Sequence, residues 1–167
     1  MIYLLDANVL IDADRDYYPL ERVPEFWEWL LYHGTSNAIK LPIEIWEEIT
    51  QGNGDLVDWL KQESVKDALL LDGEIDPDHV DHVVTNGYAP DLTDDELEKL
   101  GRDPFLIAHA YADRDSRCVV TTEVSKPTAQ RANKHVPDVC GSLIIPSCHT
   151  FELTRRLNFS TSWRSRS

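Results

Sequence analysis

No apolar stretch in this chain approaches the roughly 18 residues that a membrane-crossing helix needs, and the opening apolar run is broken early by Asp6, Asp12 and Asp14. The first residues also lack the basic start of a secretory leader, so the expectation is a protein without a membrane that works in the cytoplasm. Cysteine is scarce: Cys118, Cys140 and Cys148 have neither zinc-ribbon nor redox spacing. A disulfide framework is thereby excluded, and Cys118, inside an apolar run, reads as a small buried hydrophobe. Gly/Ser linkers and internal repeats are missing as well. Residues 1–167 therefore read as one domain, long enough to bury roughly 68–70% of its unfolded surface without a staple.

Basic charge is also in short supply. A net charge of −14 would by itself argue against a polyanionic partner. Its distribution weakens that argument, because residues 1–100 hold 6 Lys and Arg against 24 Asp and Glu, whereas residues 101–167 hold 10 against 6. An acidic half suits cations or a basic protein, and a mildly basic half suits a polyanion.

What the chain does have begins at once. Ile2, Tyr3, Leu4 and Leu5 are an unbroken apolar run, the mark of a strand buried on both faces, and it stops at Asp6 and Asn8 before Val9, Leu10 and Ile11. In open parallel sheets the carboxyl edge of the strands is where ligands bind. Asp12, Asp14 and Asp16 have the spacing of a calcium loop, but Tyr17 stands where its Gly is needed and Val23 where its bidentate Glu is needed, so they read as a solvated helix end. Val23, Phe26, Trp27, Leu30 and Leu31 predict an amphipathic helix over 21–32, closed by His33 and Gly34. Residues 38–41 read as a strand. Pro42 then opens a helix on which Glu44 and Glu48 stack four apart, with Glu48, or less well Glu44, aimed at Asp6.

From about residue 69 to 100 the pattern is that of a helical insertion in the middle of the domain. Asp76 and Pro77 start one helix, a Thr93/Glu96 capping box starts another, and His79 and His82 read as surface residues. Pro104 makes Asp103 an N-cap, while the helical wheel carries the same carboxylate inward beside Leu106, Ile107 and Ala110. Cys118, Val119 and Val120 form a buried strand with Thr121, Thr122 and Glu123 at its carboxyl edge. A helix over 127–134, a strand over 142–145 and a final helix with Phe151 and Leu153 inward complete the chain.

Alternating strands and helices predict an α/β fold, a three-layer α/β/α sandwich around a mostly parallel sheet. Asp6, Glu48, Asp103 and Glu123 then converge on one edge. Carboxylates a few ångströms apart repel by roughly 4 kcal/mol per pair at an effective dielectric of 20, so they protonate or take up a cation. All-oxygen ligands favour Mg²⁺ or Mn²⁺, which activate water and clamp the oxygens of a phosphodiester. The candidate phosphate-backbone contacts are Arg102, Lys126, Arg131, Lys134, Arg155 and Arg156.

These residues resemble the PIN-domain nucleases, and among them the larger PIN-like toxins related to the VapC-type ribonucleases. The likeness rests on YLLDANVLI, LPIEIWEEI, DPFLIAHA and VVTTEVS, in family order across nearly the whole chain. It implies a metal-dependent endoribonuclease that leaves a 5′-phosphate and a 3′-hydroxyl, with Asp6, Glu48 and Asp103 on the metal. Glu123 would bind it directly or through water, and Asn8 and Thr121 would hydrogen-bond behind them. It further implies a PIN-like fold, an RNA substrate, a homodimer and a cognate antitoxin. Two other readings stand beside it. A haloacid dehalogenase-like phosphatase would use Asp6 as nucleophile, although Asn8 occupies the general acid's place and no acidic pair follows a Lys downstream of Thr121. A catalytically silent PIN-like shell would bind RNA or protein without turnover.

Overall fold

The computed structural model describes residues 1–166, so the last position of the expected 1–167 domain lies outside the described residues. Its centre is a four-stranded, all-parallel sheet in the order β2-β1-β3-β4, with helices on both faces in a three-layer α/β/α sandwich. The strands are β1 (Ile2–Leu5), β2 (Ile39–Lys40), β3 (Arg117–Thr121) and β4 (Ser147–His149). Leu4, Leu5, Cys118, Val119 and Val120 are fully buried, which is why the central strands read as continuous apolar runs rather than alternations. Leu5 pairs with Val120, and Thr121 pairs with His149. Every strand runs the same way, so Asp6, Leu41, Thr121 and His149 all arrive at one edge.

The helices are α1 (Ala7–Asp12), α2 (Pro24–Thr35), α3 (Ile43–Thr50), α4 (Asp55–Leu60), α5 (Glu63–Leu69), α6 (Pro77–His82), α7 (Asp94–Leu100), α8 (Asp103–Tyr111), α9 (Val136–Ser142) and α10 (Thr150–Arg156). One wide π-type turn prolongs α1 through Tyr17, and another prolongs α6 through Tyr88. Residues 69–100, read in sequence as a helical insertion, form α6, the wide turn and α7. They pack α6 and the wide turn onto α8 and α9, and their capping box at Thr93 and Glu96 is fully formed. Among the described residues no helix is long and apolar enough to cross a membrane.

Several expectations are corrected. The 21–32 helix begins only at Pro24, whose ring is suited to a helix start, and runs past Gly34 to Thr35. The helix expected over 127–134 is reduced to a single 3-10 turn at Arg131–Asn133, because Asp138 accepts from Ser125 and the Lys126 N–H and Arg131 takes a left-handed φ of 55°. The strand expected over 142–145 is instead the last residue of α9 and the turn after it, with Ile144 exposed at a φ of 57°, and the last strand forms later, at Ser147–His149. Asp103 is the first residue of α8 rather than its cap, and Arg102 precedes it. On α10, Leu153 is buried as expected, but Phe151 is 36% exposed.

Candidate active site

Asp6 leaves β1 in extended backbone at the head of α1, and its carboxyl does not cap that helix. It turns into the protein, where it is only 4% exposed and accepts a 2.9 Å hydrogen bond from the Thr121 hydroxyl. The same hydroxyl accepts the Glu123 N–H at 3.1 Å, so one buried threonine ties the ends of β1 and β3 together. Glu123 in turn accepts the Val136 N–H at 2.6 Å, at the first residue of α9. Sheet register alone therefore brings Asp6, Thr121 and Glu123 to one place.

Asp103 enters from α8, which packs against β1 and β3. Burial pushes its carboxyl up to about 8, and the charges of Asp6, Glu123 and Glu48 add to the effect. Burial likewise raises Asp6 to about 6, with Glu123 and Glu48 contributing and the Thr121 hydroxyl opposing. Glu48, on α3, stands at the open rim and is also raised by partial burial, against the pull of Arg102. The four acids are thus electrostatically one group. No basic side chain is among the influences on Asp6 or Asp103. Beneath them, burial and the charges of Asp6, Asp103 and Glu123 raise the Cys140 thiol to about 12.

Glu44 is not part of this group. It is buried and meets His109 Nε2 at 2.9 Å, a pair between α3 and α8 that helps set the angle at which Asp103 is presented. Asn8 is exposed on the first turn of α1. His79 and His82 are half-buried and pack on the Tyr111 ring. Asp12 and Asp16 pair with Arg15 at the wide turn after α1.

A cleft of about 700 Å³ opens on the acids, lined by Tyr88, Lys99, Asp103, Glu123, Lys126 and Lys134 among others. Lys126 is exposed and forms no ion pair among the described residues, whereas Lys134 reaches the Gly87 carbonyl at 3.2 Å and Lys99 bonds Asn133. Arg131 does not face this cleft. It is held by Glu96 at 3.0 Å and Asp91 at 2.7 Å, and so fastens the 131–133 turn to α7. Arg102 pairs loosely with Glu47 at 3.5 Å, and Arg155 and Arg156 pair with Glu152 on α10, away from the cleft lining. Tyr88 and Lys99 were invisible as site residues in sequence, since only the packing of the wide turn onto α8 and of α7 onto the 131–133 turn brings them to the cleft. An apolar groove of about 720 Å³ beside α2, lined by Leu31, Tyr32 and Trp163, contains none of the acids.

Among the described residues no three His, Cys, Asp or Glu side chains are gathered closely enough to hold a metal ion as they stand. The donor chemistry nonetheless fits a hard divalent cation, because every candidate ligand is a carboxyl oxygen and the two most buried carry no counter-charge. Such charges repel one another when ionised, and a bound cation would offset that repulsion. No curated protein and no solved structure matches the chain. A family model described as "Domain of unknown function (DUF4411)" matches residues 3–161, a span that holds all four acids. The chain belongs to the DUF4411 family.

Proposed function

We propose that this protein is a Mg²⁺- or Mn²⁺-dependent endoribonuclease. One observation carries the reading: Asp103 and Glu123 share a cleft with Lys99, Lys126 and Lys134, and Asp103 feels the charges of Asp6, Glu123 and Glu48. A cation site beside an ammonium-lined wall is what a phosphodiester needs, since the acids alone would repel it. Asp6, Glu48, Asp103 and Glu123 would hold the ion, and Thr121 would keep Asp6 turned toward it. A bound divalent cation supplies Lewis acidity to the phosphodiester and neutralises developing charge. The lysines orient the backbone, and Tyr88 with Leu100 walls the cleft.

The likeness to the PIN-like toxins extends the proposal to a toxin of a toxin–antitoxin pair, acting in the cytoplasm as a homodimer with a cognate antitoxin as partner. The phosphatase reading with Asp6 as nucleophile has less behind it, because Asn8 at the general acid's place is exposed and cannot donate a carboxyl proton.

Purified protein with Mn²⁺ and a panel of RNAs tests the proposal. The parent cleaves and leaves 5′-phosphate ends, and Asp103→Asn and Asp6→Asn each lower the rate by roughly 100-fold or more. Equal degradation by parent and variants overturns it. RNA bound but never cut by the parent instead supports a silent binding shell, and a covalent aspartyl intermediate supports the phosphatase.

A further inference from the structure

One strand over from Asp6, the same sheet edge carries a second, smaller pocket. It encloses about 130 Å³ and is lined by Val9, Asp12, Tyr17, Thr122, His149 and Thr150. Its neighbours fix its place. Thr122 follows the threonine bonded to Asp6, His149 is paired with that threonine across β3 and β4, and the Val9 N–H bonds the Asp6 carbonyl. The pocket is therefore contiguous with the acid edge and shares no lining residue with the lysine-walled cleft.

Two features of this pocket are unexplained by folding. The Thr150 hydroxyl is buried with no hydrogen-bond partner among the described residues, in a side chain only 5% exposed. A buried polar atom left without a partner is destabilising, and it lies where a ligand could satisfy it. The rim, moreover, is aromatic. Tyr17 is 51% exposed and Phe151 is 36% exposed, and their rings meet edge to face at 5.1 Å. His149 sits 5.1 Å from Phe151. Its Nδ1 accepts the Phe151 N–H at 3.3 Å, which leaves Nε2–H as the ring's free donor. Large rings held open to solvent beside hydrogen-bonding groups are the elements with which proteins take up an unstacked base.

We infer that this pocket is a nucleobase subsite for single-stranded RNA. Because the two rings stand nearly perpendicular, one of them stacks on the base face and the other meets its edge, while the Thr150 hydroxyl, with His149 beside it, reads the base's polar groups. Asp12 is held by Arg15 and keeps the rim in shape. The substrate class rests on the ribonuclease reading; the subsite itself stands on the orphan hydroxyl and the exposed rings. A duplex cannot use it, because a paired base has no free face.

Fluorescence anisotropy of labelled single-stranded homopolymers and of a duplex of equal length, in an Asp6→Asn background that blocks cleavage, tests this. Phe151→Ala and Tyr17→Ala each weaken single-strand binding by roughly 5- to 150-fold and leave duplex binding unchanged. Phe151→Trp restores it, and Thr150→Val levels the differences among homopolymers. Single-strand binding that is absent in the Asp6→Asn protein, or unchanged by the aromatic variants, or homopolymer preferences untouched by Thr150→Val, overturns the subsite. If the parent cleaves RNA while the aromatic variants bind normally, the subsite fails and the ribonuclease stands. If the parent never cleaves while those variants lose RNA, the ribonuclease fails and the subsite stands.

Discussion

Asp103 is the residue whose charge state governs the metal-free protein. In the unfolded chain its carboxyl titrates near 4, and in the fold burial and three neighbouring acids raise it to about 8. Between those values the folded state binds the extra proton, so this group's contribution to stability is complete at low pH and is lost as pH rises through about 8. Asp6 adds a smaller effect of the same sign, ending near 6. Thermal melting of the metal-free protein should therefore decline from pH 5 to pH 8.5. Asp103→Asn should flatten most of that decline and melt higher at the alkaline end, although it disables the site. Parallel curves for the two proteins would show that Asp103 is not strained by its surroundings. The Glu44–His109 pair makes the complementary point: Glu44 and Glu48 are four positions apart on one helix, yet one is used to join α3 to α8 and the other is left to the acids.

Among the elements, α2 and α5 cross closely at Gly34. A Cβ on Gly34 would lie 2.7 Å from the Ala68 carbonyl oxygen and 2.8 Å from a Leu69 methyl, and backbone cannot give way as a side chain can. Gly34→Ala should cost roughly 1–3 kcal/mol of stability, read by denaturant unfolding, even though alanine favours a helix interior. An unchanged midpoint would show that the crossing has slack. This also explains why Gly34 is not the helix end its residue type suggests: its value lies in lacking a side chain. Further along, α7 and the 131–133 turn act as one unit through Arg131, Asp91 and Glu96. A residue that resembled a phosphate contact in sequence is a tie between two segments, and Lys126 and Lys134 are left to meet a polyanion.

For the molecule as a whole, charge is sorted by tertiary structure rather than diluted by it. Lys126 lines the cleft without an acidic partner among the described residues and should contact one RNA phosphate. Lys126→Ala should reduce the slope of log affinity against log salt by roughly 0.7, the single-strand value for one released counterion, whereas Arg155→Ala should leave the slope unchanged. Equal slopes for parent and Lys126→Ala would remove this lysine from the interface.

The amino-acid sequence by itself determined the layered α/β fold, since apolar runs such as IYLL and CVVT, alternating with amphipathic helices, point to strands covered on both sides, and it determined which acids stand at strand ends. Periodicity also identified α3, the capping box of α7 and the inward face of α8. It placed the final helix but misplaced the helix expected over 127–134 and the strand expected over 142–145, where prolines, left-handed Arg131 and Ile144 and side-chain bonds to Asp138 outweigh local propensity. Only the tertiary structure decided that Glu44 leaves the site for His109, that Lys99 and Tyr88 enter the cleft from a distant insertion, and that Thr150 is buried with an unpartnered hydroxyl. The physical reason is common to all three. Which side chain a polar atom meets depends on how elements far apart in the chain are packed, and local pattern holds no record of that.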